Sequence, residues 1–187
     1  MNLSPALFLD RDGVIMENCP NYVRSWTDVH FFPQALQALA RIRRCPYKII
    51  VVTNQSAVGR GILTYEAALE LNERIIERVR QENGRVDAAY ICPDAPDKET
   101  GCRKPKPGML HRAAQEHQLN LHQSIMIGDA LTDVQAGRAA GVRVAALLLT
   151  GRGQTQAAKP EAAALQPIPT YPDLQAALAE LIPEDDG

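Results

Sequence analysis

The sequence is poor in aromatic residues and lacks an excess of either charge. Phe, Tyr and Trp together make up 5% of the 187 residues, with one tryptophan, and 20 basic side chains nearly balance 22 acidic ones for a formal net charge of −2. Such a balance leaves no electrostatic footprint for nucleic acid or an anionic membrane surface, so partners must be inferred from a site. Long apolar runs are missing as well: the longest, Val144 to Leu149, falls far short of the roughly 18 residues of a membrane span. The first residues lack a charged stretch followed by an apolar core, so no secretory signal is expected and a cytoplasmic location is. Disulfides are rare in that compartment, and Cys19, Cys45, Cys92 and Cys102 are expected as free thiols. At roughly 100 to 200 residues per domain, residues 1–187 should form a single domain.

What is present is a regular alternation of short apolar runs with longer helical patterns, the signature of βαβ units around a parallel sheet. Strands are expected at 6–9, 48–52, 86–92, 124–127 and 142–149. Helices are expected at 34–44 behind Pro33, from the cap Thr64 to Gly84, at 109–118, from Leu131 to near Gly141, and at 173–181. Gly59-Arg60-Gly61 reads as a flexible connection and Ile168-Pro169 as a short extended segment. There is no internal repeat and no interdomain linker. In open parallel sheets ligands bind outside the carboxyl ends of the strands, which brings Asp10, Thr53-Asn54, the loop after Cys92, and Asp129 to one edge.

Four segments at that edge carry chemistry, and each has a plainer reading. Asp10-Arg11-Asp12-Gly13 places two carboxylates where the chain begins to turn, so one can attack while the other moves protons; Asp and Gly are also ordinary loop residues. Thr53-Asn54-Gln55-Ser56 offers a hydroxyl and an amide, with backbone N–H donors at the following turn, for phosphate oxygens, or a strand end capped by its own side chains. Cys102-Arg103-Lys104-Pro105-Lys106-Pro107-Gly108 holds a lysine in a stiff segment, as a fixed point charge or a solvated loop. Gly128-Asp129-Ala130-Leu131-Thr132-Asp133 presents two carboxylates suited to a hard cation such as Mg²⁺, or a helix cap.

Taken together and in this order, the four segments resemble the haloacid dehalogenase superfamily of Mg²⁺-dependent phosphatases. With Asn21-Tyr22-Val23 and Gly59-Arg60-Gly61 they resemble its heptose-1,7-bisphosphate phosphatase and histidinol phosphatase branch. The resemblance implies an α/β fold of three-layer α/β/α Rossmann-like type with a mostly parallel central sheet, capless. It implies a phosphomonoesterase in which Asp10 is the nucleophile, Asp12 the general acid and base with a pKa above its reference of about 3.9, and Lys104 a catalytic charge. Thr53 and Asn54 would hold the phosphoryl oxygens, Arg103 the substrate beyond them, and Asn21 and Tyr22 would lie in the specificity loop, 16–28. Mg²⁺ would sit among Asp10, the main-chain carbonyl of Asp12 and Asp129, with Asp133 in support. Trp26, in the same loop, reads as packing before it reads as a platform for sugar.

Two departures from the branch are expected to matter. Relatives carry a four-ligand zinc set before the Arg-Lys-Pro segment, whereas the matching positions here read Cys92, Asp94, Thr100 and Cys102, and threonine is a poor ligand. A zinc-free remnant loop is expected. Ala130 replaces a substrate-reaching lysine, which bears on substrate identity and not on the chemistry. The expected substrate is a small phosphorylated sugar or polyol, first the heptose bisphosphate attacked at its 7-phosphate, then histidinol phosphate. The other classes considered are a phospho-receiver module, which would need its aspartate at the end of the third strand, and an inactive phosphate-binding module. A monomer is expected, because no apolar stripe is left over.

Overall fold

The computed structural model describes residues 3–98 and 100–183. Six strands, β1 (Ala6–Leu9), β2 (Lys48–Asn54), β3 (Ala88–Cys92), β4 (Ile125–Gly128), β5 (Val144–Leu148) and β6 (Thr170–Tyr171), form one sheet in the order β3-β2-β1-β4-β5-β6. Each neighbouring pair is parallel. The helices are α1 (Pro33–Arg41), α2 (Ser56–Gly59), α3 (Tyr65–Gln81), α4 (Gly108–His117), α5 (Leu131–Ala140), α6 (Gly153–Ala157), α7 (Pro160–Ala164) and α8 (Leu174–Leu181).

Successive strand side chains point to opposite faces, and the core divides accordingly. Leu7, Leu9, Ile49, Val51, Ile125, Ile127 and Leu148 face α1, α3 and α8 through Leu36, Leu39, Ile76, Val79 and Leu178. Ala6, Phe8, Ile50, Val52 and Met126 face α4 and α5 through Met109, Leu110, Ala113 and Ala136. The result is the expected three-layer α/β/α arrangement. β1 is buried along its whole length, as the central strand of a sheet covered on both faces must be. Among the described residues no helix is long and apolar enough to cross a membrane.

Some local expectations change. α1 stops at Arg41, three residues early: Cys45 precedes Pro46, a position that disfavours the helical region, and its N–H already closes a turn on Ile42. The connection at 59–61 is preceded by a turn of helix, α2. The extended segment shifts from Ile168-Pro169 to β6, because Pro167 and Pro169 have no N–H to donate to a ladder; Pro169 serves through its carbonyl, which accepts from Leu147. Thr64 does cap α3, accepting from the Ala67 N–H at 3.1 Å, a bond of the kind that contributes about 1 kcal/mol.

The expectation of four free thiols is corrected at one pair. Cys92 and Cys102 meet with Cα atoms 5.6 Å apart and form a disulfide, while Cys19 and Cys45 remain free. Sequence spacing alone does not reveal such a closure, since bridging depends on Cα distance and direction.

Candidate active site

Asp10 follows β1, and its backbone N–H continues the ladder by donating to Ile127 at 3.0 Å. The sheet therefore fixes the position of its carboxylate. Lys104 Nζ lies 2.9 Å from Asp10 Oδ1 and 2.7 Å from Asp133 Oδ1, and it donates to the Val52 carbonyl at 2.8 Å. All three side chains are buried. Burial works against the lysine's charge, but Asp10 and Asp133 more than offset it and raise its pKa above the usual value.

Asp129 follows β4 and is completely buried. Burial raises its pKa, reinforced by Asp10 and opposed by Arg152. Asp133 stands on the first turn of α5, where Oδ2 accepts the Ala130 N–H at 3.0 Å. The N-cap position is Ala130, and the carboxylate that caps this end of the helix is that of Asp133, three residues on. Burial, opposed chiefly by Lys104, raises Asp133 to about 7.

Carboxylate oxygens of Asp10, Asp129 and Asp133 all lie within 4.8 Å of one another. Three convergent hard oxygen donors suit Mg²⁺. The backbone around them keeps the space open. Gly13, at φ +84°, and Gly151, at φ +55°, adopt a conformation that favours glycine, and a Cβ on either would stand 2.1 or 2.5 Å from Asp129 Oδ2. Asn18 Oδ1 reaches into the same corner, buried without a hydrogen-bond partner. The donor set and the cradle fit a small divalent cation.

Asp12 is set apart from this cluster. Its carboxylate receives the Arg11 guanidinium at 3.0 to 3.2 Å and the Gln55 amide at 3.1 Å. Leu9 and Val14, close to Asp12 along the chain, are buried, but the groups bonded to the carboxylate are polar. Gln55 also donates to Thr53 Oγ1 at 2.8 Å, which leaves the threonine's own hydroxyl proton for another acceptor.

Asn54 also has a partner that the sequence did not suggest: its amide nitrogen donates to the Lys104 carbonyl and its amide oxygen accepts the Lys104 N–H, both at 3.1 Å, so it grips the lysine's backbone. Arg103 donates to Ser56 Oγ at 2.8 Å and to the Asp94 carbonyl at 2.9 Å. Burial lowers its pKa; Asp94 opposes the shift, and the like charges of Arg60 and Arg152 add to it.

In the 16–28 loop, Met16 and Val23 pack on Leu71 and Ile75 of α3. Trp26 is a packing residue there, 6.1 Å from the Phe31 ring, with the Arg74 guanidinium over its face. Asn21 is exposed at the tip, and Tyr22 beside it has φ +64° and lies within electrostatic range of Arg103. Asp94 Oδ2 lies 3.4 and 3.1 Å from the sulfurs of Cys92 and Cys102 and accepts the Thr100 hydroxyl. These three candidate metal-ligating residues are thus together, with their sulfurs paired.

Sequence reading assigned no role to Arg11, Gln55 or Arg152. Arg152 is the most consequential of the three: it binds Asp129 with Nη2 to Oδ1 at 3.1 Å, Nε to Oδ2 at 3.3 Å and its backbone N–H to Oδ2 at 2.9 Å. The rule of strand ends, applied to β5 as it was to β1, β2 and β4, points to the segment that holds it but not to the residue or its partner.

Residues 101–177 match the HAD-hydrolase-like family model. The chain is 39% identical over 150 residues to a D-glycero-beta-D-manno-heptose-1,7-bisphosphate 7-phosphatase of Helicobacter pylori, covering 80% of this chain and 86% of that one. It is 34% identical over 181 residues to the enzyme of the same name from Yersinia pestis, covering 93% and 95%. The crystal structure of the D,D-heptose 1,7-bisphosphate phosphatase from B. bronchiseptica, complexed with magnesium and phosphate, superposes with a TM-score of 0.85 at 30% identity over 95% of this chain and 97% of that one. With the carboxylates, the lysine and the sheet edge in place, the chain is a phosphatase and belongs to the haloacid dehalogenase superfamily, in the family of the D-glycero-D-manno-heptose-1,7-bisphosphate 7-phosphatases.

Proposed function

We propose that this phosphatase removes the 7-phosphate of D-glycero-D-manno-heptose 1,7-bisphosphate through an aspartyl-phosphate on Asp10, with Mg²⁺ as cofactor. The observation that supports the chemistry best is Lys104, which bridges Asp10 and Asp133 beside Asp129 at the end of the central strand. The relatives' names support the substrate.

Asp10, Asp129 and Asp133 would hold the cation, with the main-chain carbonyl of Asp12 added by family resemblance. When bound, Mg²⁺ supplies positive charge that offsets the repulsion between an anionic nucleophile and a phosphate dianion. An Asp10 carboxylate oxygen attacks phosphorus, the bond to the sugar oxygen breaks, and Asp12 gives that oxygen its proton. Asp12 then takes a proton from water, whose oxygen attacks the same phosphorus. The bond to Asp10 breaks, inorganic phosphate leaves and the carboxylate is restored. Lys104 neutralises charge throughout. Thr53, with Gln55 donating into its oxygen, turns its hydroxyl proton to a phosphoryl oxygen. Arg103 and Tyr22 face the part of the substrate beyond the reacting group, where a guanidinium fork suits a second phosphate.

In this reading the enzyme works as a cytoplasmic monomer of one domain on a small sugar phosphate, without nucleic acid or membrane, and its Cys92 to Cys102 loop functions without zinc. Paired sulfurs offer no thiolate, the form in which cysteine binds metal. The test is a panel of both heptose bisphosphate anomers, histidinol phosphate and simple sugar monophosphates, each with and without Mg²⁺. The expected result is the highest kcat/KM on a heptose bisphosphate; a monophosphate that outperforms both anomers overturns the assignment.

A further inference from the structure

Arg152 makes two kinds of contact with one carboxylate. Its backbone N–H, 2.9 Å from Asp129 Oδ2, is fixed in place: Thr150 Oγ1 donates to the Gly13 carbonyl at 2.6 Å, Gly153 closes a turn on the Thr150 carbonyl at 2.8 Å, and Gly151 is wedged against Gly13 and Asn18. Its guanidinium reaches the same carboxylate from outside, on a side chain 55% exposed against 0% for Asp129. One contact orients Asp129 whatever the side chain does. The other can be released.

The charges give that release a direction. Asp10, Asp129 and Asp133 face the two cations Lys104 and Arg152. A divalent ion entering among the three carboxylates would stand beside the guanidinium on the same Asp129, and like charges so close repel. The guanidinium's open side gives onto a rim where Arg103 already feels Arg60 and Arg152 as like charges. A cluster of guanidinium groups at the mouth of a phosphatase site is relieved by an anion.

We propose that Arg152 is a substrate-binding residue whose guanidinium, paired with Asp129, transfers to the phosphate when the cation enters. It competes with the metal and cooperates with the anion, while its backbone N–H keeps Asp129 aimed. The proposal rests on the phosphatase reading but not on the heptose substrate, and its probes are Mg²⁺ and inorganic phosphate alone.

The experiment is calorimetry on the full chain and its Arg152→Met and Arg152→Lys variants, with a melting curve for each. Mg²⁺ is titrated into metal-free protein, then orthophosphate into protein saturated with Mg²⁺. For Arg152→Met the expected result is Mg²⁺ bound several-fold tighter and phosphate about tenfold weaker, the size of one lost charge-assisted bond. Arg152→Lys should shift both the same way by less, and it carries the test alone if the methionine variant fails to fold. Any result in which the two affinities do not move in opposite directions overturns the proposal; weaker Mg²⁺ binding with phosphate unchanged would make the arginine solely an orienting group for Asp129.

Discussion

Asn54 and Lys104, fifty residues apart in sequence, are joined by two hydrogen bonds of 3.1 Å, one in each direction between the asparagine amide and the lysine backbone. The end of β2 thereby sets the position from which the lysine reaches Asp10. Asn54→Ala removes both bonds without deleting any charged group, and frees the lysine to shift. A misplacement of about 1 Å in a catalytic group costs on the order of 100-fold, so kcat should fall by about that factor with KM little changed. Steady-state kinetics on any turned-over phosphomonoester checks this, and an unchanged kcat with a raised KM would return Asn54 to direct substrate binding.

Lys104, the catalytic cation of the proposed mechanism, is also a structural one, paired with both Asp10 and Asp133. Lys104→Met leaves Asp10 and Asp133 facing each other in a buried site. Removing one partner of a buried pair costs about 3–5 kcal/mol. Urea unfolding of the metal-free variant should show a loss of that order, and part of it should return when Mg²⁺ is added. A loss equal with and without Mg²⁺ would mean that the carboxylates do not share a cation site.

Gly13→Ala sets a Cβ 2.1 Å from Asp129 Oδ2 at a backbone φ of +84°. The left-handed backbone alone costs about 1–2 kcal/mol, and Asp129 must also shift. Mg²⁺ affinity by calorimetry should drop about tenfold or more while the far-UV circular dichroism of the sheet and helices persists.

The disulfide is open to direct count. Denatured, unreduced protein should titrate as two free thiols, Cys19 and Cys45, and as four after reduction. Metal analysis of the same sample should find no stoichiometric zinc; one zinc per chain with four thiols before reduction would show Cys92, Asp94 and Cys102 acting together as a metal site.

The contrast between Asp10 and Arg152 shows how much of this was readable beforehand. Asp10 and Asp129 directly follow strands whose apolar runs are plain, so the sheet edge and these carboxylates could be placed from residues alone, while Lys104, in the long loop between β3 and α4, was singled out by the order of the four segments that carries the family resemblance. Arg152 follows β5 in a Thr-Gly-Arg-Gly segment with no spacing to mark it, and its partner lies 23 residues back. Asn54 was recognised but its bonds to the Lys104 backbone were not, because nothing local tells whether an amide at a strand end meets a distant backbone. The Cys92 to Cys102 bridge was missed for the same reason. β6 was misplaced by two residues because the apolar pattern outweighed the prolines' missing donors. What escaped the sequence is pairing across long separations; what it showed was local pattern.

The most direct test of the central claim is to follow D-glycero-D-manno-heptose 1,7-bisphosphate by phosphorus NMR after adding enzyme and Mg²⁺. The account predicts loss of the 7-phosphate signal, one equivalent of inorganic phosphate and a stable heptose 1-phosphate, with no turnover by Asp10→Asn. Release of the anomeric phosphate first, or turnover undiminished in Asp10→Asn, would contradict it.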